Sequence, residues 1–176
     1  TKGAFFHHFK TKDDLGVAAA RHWATVTSAM FAAAPYHAPD DPLDRLLAYV
    51  DFRKEMLKGD LPDFTCFVGT TLQETYATHP DIRVACFDSI AGHAGTLIGD
   101  IEAAIEKYPP AFPVNAQSLA LHTQAVLQGA FILAKGGQDA ALAGSSVDHL
   151  RNYIALLFKF EDRNAPSAKR VRKKGS

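Results

Sequence analysis

An all-helical fold is what this sequence predicts, and three observations carry the prediction. Apolar residues recur every three or four positions through several long runs, the spacing that gathers side chains on one face of a helix. The 12 glycines and 9 prolines fall mostly between those runs. Helix-start residues, a Thr or an Asp followed by Pro, stand at the head of several of them. An apolar share of 47%, with 12 Phe and 5 Tyr, supplies enough core material for one domain in 176 residues.

The elements follow in order. Phe5, Phe6 and Phe9 gather on one side of a short helix that stops within a few residues. Thr11 then caps a second helix, its hydroxyl placed to take the amide of Asp14, with Asp13 and Asp14 in the first turn. That helix is expected from Lys12 to about Ala34, about 33 Å long at 1.5 Å per residue, with Leu15, Ala19, Trp23, Val26 and Met30 along one line. Pro35, Pro39, Asp40 and Asp41 make a loop. Asp41 is the next cap and Pro42 the first helical residue, opening a stripe of Leu43, Leu46, Leu47, Val50 and Leu57 that ends near Lys58, before GDLP.

A helix is expected over Phe64 to Ala77, and another run, restarted by HPD at 79 to 81, is periodic from Asp81 to Tyr108 (Ile82, Cys86, Ile90, Ala94, Leu97, Ile101, Ile105). Ala116 to Lys135 is the next, stopped by Gly136 and Gly137. After a loop, Ser145 or Ser146 caps a last helix reaching Phe160, and the basic remainder from Glu161 is expected to be disordered. No internal repeat is seen.

The formal net charge is zero, but six of the 19 Lys and Arg and two of the 19 Asp and Glu follow residue 160, which leaves residues 1–160 at minus four. A uniformly basic nucleic-acid-binding globule is therefore excluded; any DNA contact must come from a local patch. Cys66 and Cys86 do not make a disulfide framework, and no run of 18 apolar residues suggests a membrane span, so a reducing cytoplasm is the expected compartment. Eight histidines include no pair at metal-ligand spacing, and His7 and His8 point about 100° apart on a helix, so no metal and no cofactor are expected.

The stretch GAFFHHFKTKDDL, Gly3 to Leu15, resembles the pattern G-x-[LF]-[YF]-x-[HY]-F-x-[ST]-K-x-x-L that closes the helix-turn-helix of the TetR/AcrR family of bacterial transcriptional regulators. Gly3, Phe5, Phe6, His8, Phe9, Thr11, Lys12 and Leu15 all fall in register. Phe6 stands where Tyr is commoner, and Gly16 where a larger residue is usual. CFVGTTLQE with HPDIR, and LHTQAVLQGAFILAK, match more loosely the ligand-binding half of the same family.

The resemblance implies that residues 1–15 close a DNA-binding domain whose first two helices precede Thr1, that 16–160 form a helical ligand-binding and dimerisation domain, and that 161–176 are a tail. Thr1 to His8 would be the recognition helix, its exposed side chains facing base edges and phosphates. Thr1, Lys2 and Gly3 are the first candidates, with Phe6 and His7 against the sugar-phosphate backbone and Lys12 on a phosphate. Phe5 and Phe9 are expected as core.

A cavity of the family's kind would take its walls from Trp23, Phe52, Met56, Cys66, Phe67, Thr70, Thr71, Glu74, Phe87, His93, Leu97 and His122. The same residues could be ordinary core. Neither cysteine has a Lys, Arg or His near it in sequence to lower its pKa, so both are expected as inert thiols. Cys66, His93 and Glu74 are the residue types of a nucleophilic triad, but nothing marks them as one, and no enzyme is expected.

In the family the last two helices pair with their symmetry mates. That would put Leu119, Val126, Ala130, Leu133, Val147, Leu150, Ile154, Leu157 and Phe158 at a homodimer interface. The function implied is a ligand-responsive repressor, released from palindromic operator DNA by an unknown small molecule, with no membrane partner. The alternative is a helical small-molecule-binding protein or enzyme carrying a vestigial DNA-binding motif.

Overall fold

In the computed structural model, which describes residues 9–159, the first element begins where the sequence places it. The Thr11 hydroxyl accepts from the Asp14 amide at 3.0 Å while the Asp14 carboxylate accepts from the Thr11 amide at 3.0 Å. This reciprocal cap satisfies two of the donors a helix start leaves open. Helix α1 runs Lys12–Ala32, and a 3-10 turn at Pro35–His37 leads away from it. The short aromatic helix expected around Phe5 and Phe6, and the basic tail, lie outside the described residues.

Helix α2, Pro42–Met56, is capped by Asp41, whose carboxylate accepts from the amides of Leu43 at 2.9 Å and Asp44 at 3.2 Å. The same carboxylate receives Lys107 Nζ at 2.7 Å and the Tyr108 hydroxyl, so one residue joins the start of α2 to the end of the helix that closes at Lys107. Burial alone would raise the Asp41 pKa, but the hydrogen bonds from Lys107, Tyr108, Asp44 and Leu43 outweigh it and hold the carboxyl well below the usual carboxylate range.

Three expectations about element boundaries are corrected. The run Phe64 to Ala77 is two helices, α3 at Leu61–Phe64 and α4 at Phe67–Thr75. Thr65 is extended between them, and the Cys66 sulfur caps α4 by accepting from the Gly69 amide at 3.4 Å. The run Asp81 to Tyr108 is also two helices, α5 at Pro80–Gly95 and α6 at Ile98–Lys107. At their junction the Thr96 hydroxyl takes the His93 carbonyl at 2.7 Å, competing with the helical ladder just after Gly95.

The third correction concerns the last two helices. Helix α7, Ala116–Gly137, passes through both glycines and ends on Gln138, which adopts the left-handed conformation at φ 51°. Helix α8, Ala140–Leu157, then starts at once on an Asp139 cap, not at Ser145 or Ser146. Those two serines lie inside α8 and bond back to the carbonyls of Ala141 and Leu142.

All elements among the described residues are helical, and they form two packed groups. The larger core surrounds α2, whose Leu43, Leu46, Leu47, Tyr49 and Val50 are almost fully buried against α6, α7 and α8. Each such aliphatic side chain contributes about 1.5–3 kcal/mol. The smaller core holds Ala20 of α1, Val68 of α4, and Ile82 and Cys86 of α5. Here α1 and α5 approach closely: a Cβ on Gly16 would lie 2.5 Å from Ile82 Cδ1. That contact accounts for a glycine where the family pattern usually has a larger residue.

Candidate functional site

Between the two cores lies a cavity of about 240 Å³. Helix α1 supplies one wall from Trp23, Val26, Thr27, Met30 and Phe31, and α2 supplies Arg53 and Met56. Asp63 and Phe64 of α3, Cys66 and Val68 near the start of α4, and Ser89, Ile90 and His93 of α5 form the sides. Gln124 and Gln128 of α7 close it; Gln128 reaches over α4 so tightly that a Cβ on Gly69 would lie 2.0 Å from its Oε1.

One wall is a buried polar group. The Tyr49 hydroxyl accepts from Gln124 Nε2 at 3.0 Å and from Arg53 Nη1 at 3.3 Å, so its own proton goes to His93 Nε2 at 2.9 Å. This assigns the neutral His93 tautomer that carries its proton on Nδ1. Burial, reinforced by the nearby Arg53 charge, pushes the His93 pKa down to about 4. The guanidinium of Arg53 lies 5.1 Å from the Phe31 ring centroid and 5.6 Å from that of Phe131, held between aromatic faces.

Of the residues expected at a cavity, the structure brings together Trp23, Met56, Cys66 and His93. Phe52 packs instead into the larger core, with ring centroids 5.9 Å from Phe31 and 5.7 Å from Tyr36. Phe67 is exposed on the outer side of Trp23. Thr70 receives Lys135 Nζ at 2.5 Å, and the Thr71 carbonyl receives the Thr75 hydroxyl. Glu74 is exposed, Phe87 lines a separate surface groove with Leu72 and Tyr76, and Leu97 is buried in the larger core. His122 is exposed on α7, its ring 5.4 Å from Tyr153 of α8. None of these eight lines the cavity.

Residues that sequence reasoning missed carry the polar wall: Tyr49, Arg53 and Gln124. Arg53 lies three residues after Val50 and four before Leu57, on the apolar stripe of α2, a signal that was there to be read.

The expected interface residues are placed differently from the expectation. Leu119, Ala130, Val147, Leu150, Ile154, Leu157 and Phe158 are buried inside the protomer, where α7 and α8 pack on each other and on α2. Val126 is half-buried and Leu133 exposed. The periodicity picked the stripe facing the protomer's own core. The opposite stripe, open to solvent, carries Leu121, Ile132 and Leu133 on α7 and Leu142 and Leu156 on α8.

Lys12, expected on a DNA phosphate, is the exposed first residue of α1. Thr1, Lys2, Gly3, Phe6 and His7 lie outside the described residues. No group of His, Cys, Asp or Glu that could hold a metal occurs among the described residues, and no helix there is long and apolar enough to cross a membrane.

The described residues thus form a helical bundle with a cavity beneath its first helix, which begins within the Gly3 to Leu15 pattern. The family model for the tetracyclin repressor-like C-terminal domain matches residues 42–150. The chain belongs to the TetR family of transcriptional regulators.

Solved structures share the fold. A TetR transcriptional regulator from Chloroflexus aurantiacus J-10-FL is 24% identical with a TM-score of 0.71, over 85% of this chain and 75% of that one. A TetR-family regulator from Agrobacterium tumefaciens is 19% identical with a TM-score of 0.72, over 87% and 80%. E. coli NemR in its reduced form is 24% identical with a TM-score of 0.66, over 86% and 78%. No curated protein matches the chain.

Proposed function

We propose that the protein is a homodimeric, ligand-responsive repressor that a small molecule releases from a palindromic operator. One observation carries this reading: α1, Lys12–Ala32, begins at the end of the helix-turn-helix pattern, and its second half, Trp23 to Phe31, is a wall of the cavity. A molecule filling the cavity touches the same helix that leads back to the pattern at Gly3 to Leu15.

In this reading residues 1–15 close the DNA-binding domain, residues 16–160 bind ligand and dimerise, and 161–176 are a tail. Thr1, Lys2, Gly3, Phe6 and His7 face the major groove and its phosphates, with Lys12 on the backbone. The exposed stripes of α7 and α8 pair with those of a second copy. Two recognition helices then stand about 34–36 Å apart, one DNA turn. Ligand needs to prefer the released state by only about 1–3 kcal/mol to shift occupancy substantially.

The test is binding of the protein, with its complete helix-turn-helix, to DNA upstream of its own gene at two salt concentrations. Selective binding centred on a palindrome is the expected result. Weak binding to any sequence, falling steeply with salt, would leave only the basic tail as the DNA contact and would overturn the regulator reading.

A further inference from the structure

We propose that the ligand of this cavity is a small organic carboxylic acid, its apolar body between the two cores and its carboxylate on Arg53. The inference rests on the cavity's being the ligand site, and it names the chemistry of what fills it.

Arg53 is 8% exposed, and among the described residues no carboxylate lies within ion-pair distance of it. A guanidinium stays charged at any pH the protein meets, so the protomer holds an uncompensated cation in its interior. Such a charge is costly unless something else neutralises it. Only Nη1 finds an acceptor, the Tyr49 hydroxyl at 3.3 Å, and that bond is long; His93 Nε2, 3.4 Å from Nη1, has its lone pair on the Tyr49 proton. Nε and Nη2 have no acceptor in the described protein. Because no fully buried side-chain nitrogen lacks a partner, those atoms keep accessible surface, and Arg53 is one of the residues that line the cavity. They form one edge of the planar fork that grips a carboxylate through two parallel bonds.

The other groups of the wall do not compete for that edge. His93 is neutral near pH 7, and its Nε2 already accepts from Tyr49. The Gln124 amide nitrogen is spent on the same hydroxyl. Asp63, the acidic residue of the lining, is exposed, and its carboxylate accepts from the Asp60 amide at 3.2 Å to close the cap of α3. The rest of the wall is mostly apolar, with Val26, Met30, Phe31, Met56, Phe64 and Ile90, and its other polar groups, Thr27, Thr65, Ser89 and Gln128, are uncharged. At about 240 Å³ the cavity has room for a medium-chain or single-ring acid. Apolar walls with one desolvated cation select an apolar body with one anionic end.

The experiment compares acids with their own amides. Octanoate and phenylbutanoate, each beside its primary amide, are titrated into the purified protein by calorimetry. Trp23, on the cavity wall and the sole tryptophan of the chain, reports occupancy by fluorescence. The expected result is that an acid binds at least about tenfold tighter than its amide. Arg53→Gln should bring acid and amide to within about twofold of each other, and Arg53→Lys, which keeps the charge but not the fork, should retain part of the preference. Circular dichroism verifies that both variants are folded.

Amides that quench Trp23 as strongly as acids do, with equal affinity, overturn the carboxylate assignment and leave the cavity as the ligand site. A preference that survives in Arg53→Gln overturns the role of Arg53. If neither acids, amides nor the neutral dye N-phenylnaphthylamine perturb Trp23, the ligand-site reading falls together with the inference.

Discussion

His93 shows how one residue's surroundings become a property of the whole protein. Its imidazole titrates near 4 in the folded state against 6.5 in the open chain. Between those values the unfolded chain binds the proton and the folded protein does not, so stability falls as pH drops from about 6.5 toward about 4. In His93→Gln the slope of folding free energy across that window, measured by urea titration at several pH values, should flatten. The flattening should amount to about 2 kcal/mol over the window. At this scale the sequence was legible at Trp23, Met56, Cys66 and His93, which all reach the cavity. Arg53 was not picked out, because an arginine near the end of a helix reads as a solvated cation. Its burial depends on Phe31 and Phe131 arriving from α1 and α7 to cover it. The stripe position gave the only local sign of it.

At the scale of elements, the starts at Thr11 and Asp41 were legible, while the start of α8 and the internal breaks were not. Thr11 and Asp41 cap where their side-chain chemistry says they should, since an N-cap is decided within four residues. The breaks at Thr96 and at Gln138 are decided by tertiary packing. The first turns Leu97 and Ile101 into the larger core, and the second lets α8 fold back along α7. Gln138 pays a conformational cost at φ 51° that glycine would not. Gln138→Gly should therefore raise stability by about 0.5 kcal/mol, the gain being reduced by loss of its exposed bond to the Lys135 carbonyl. A thermal melt should show a rise of about one or two degrees in Tm. An unchanged or lowered Tm would mean that the side-chain bond is worth more than the backbone strain.

For the molecule as a whole, the all-helical class and the family were readable from Gly3 to Leu15 and from the periodic runs after it. The polarity of the last two helices was not: both carry apolar residues on two faces, and periodicity alone does not say which face a protomer keeps for itself. The exposures decide it, with Ile154 at 0% and Leu156 at 75%. Leu133→Glu combined with Leu156→Glu should turn a dimer into a helical monomer in sedimentation analysis. Ile154→Glu should unfold the chain, since it buries a charge without a partner.

The two cores bear on motion as well as on binding. Around α2 the packing is continuous and held at its rim by the Asp41 clasp, so that half behaves as a fixed block. The smaller core, from α1, α4 and α5, is tied to that block by Phe31 in the larger core, by the Tyr49–His93 bond and by Lys135 on Thr70, and the cavity lies among these ties. In the proposed function a ligand acts on those ties, and α1, which carries one of them, runs from the cavity to Lys12.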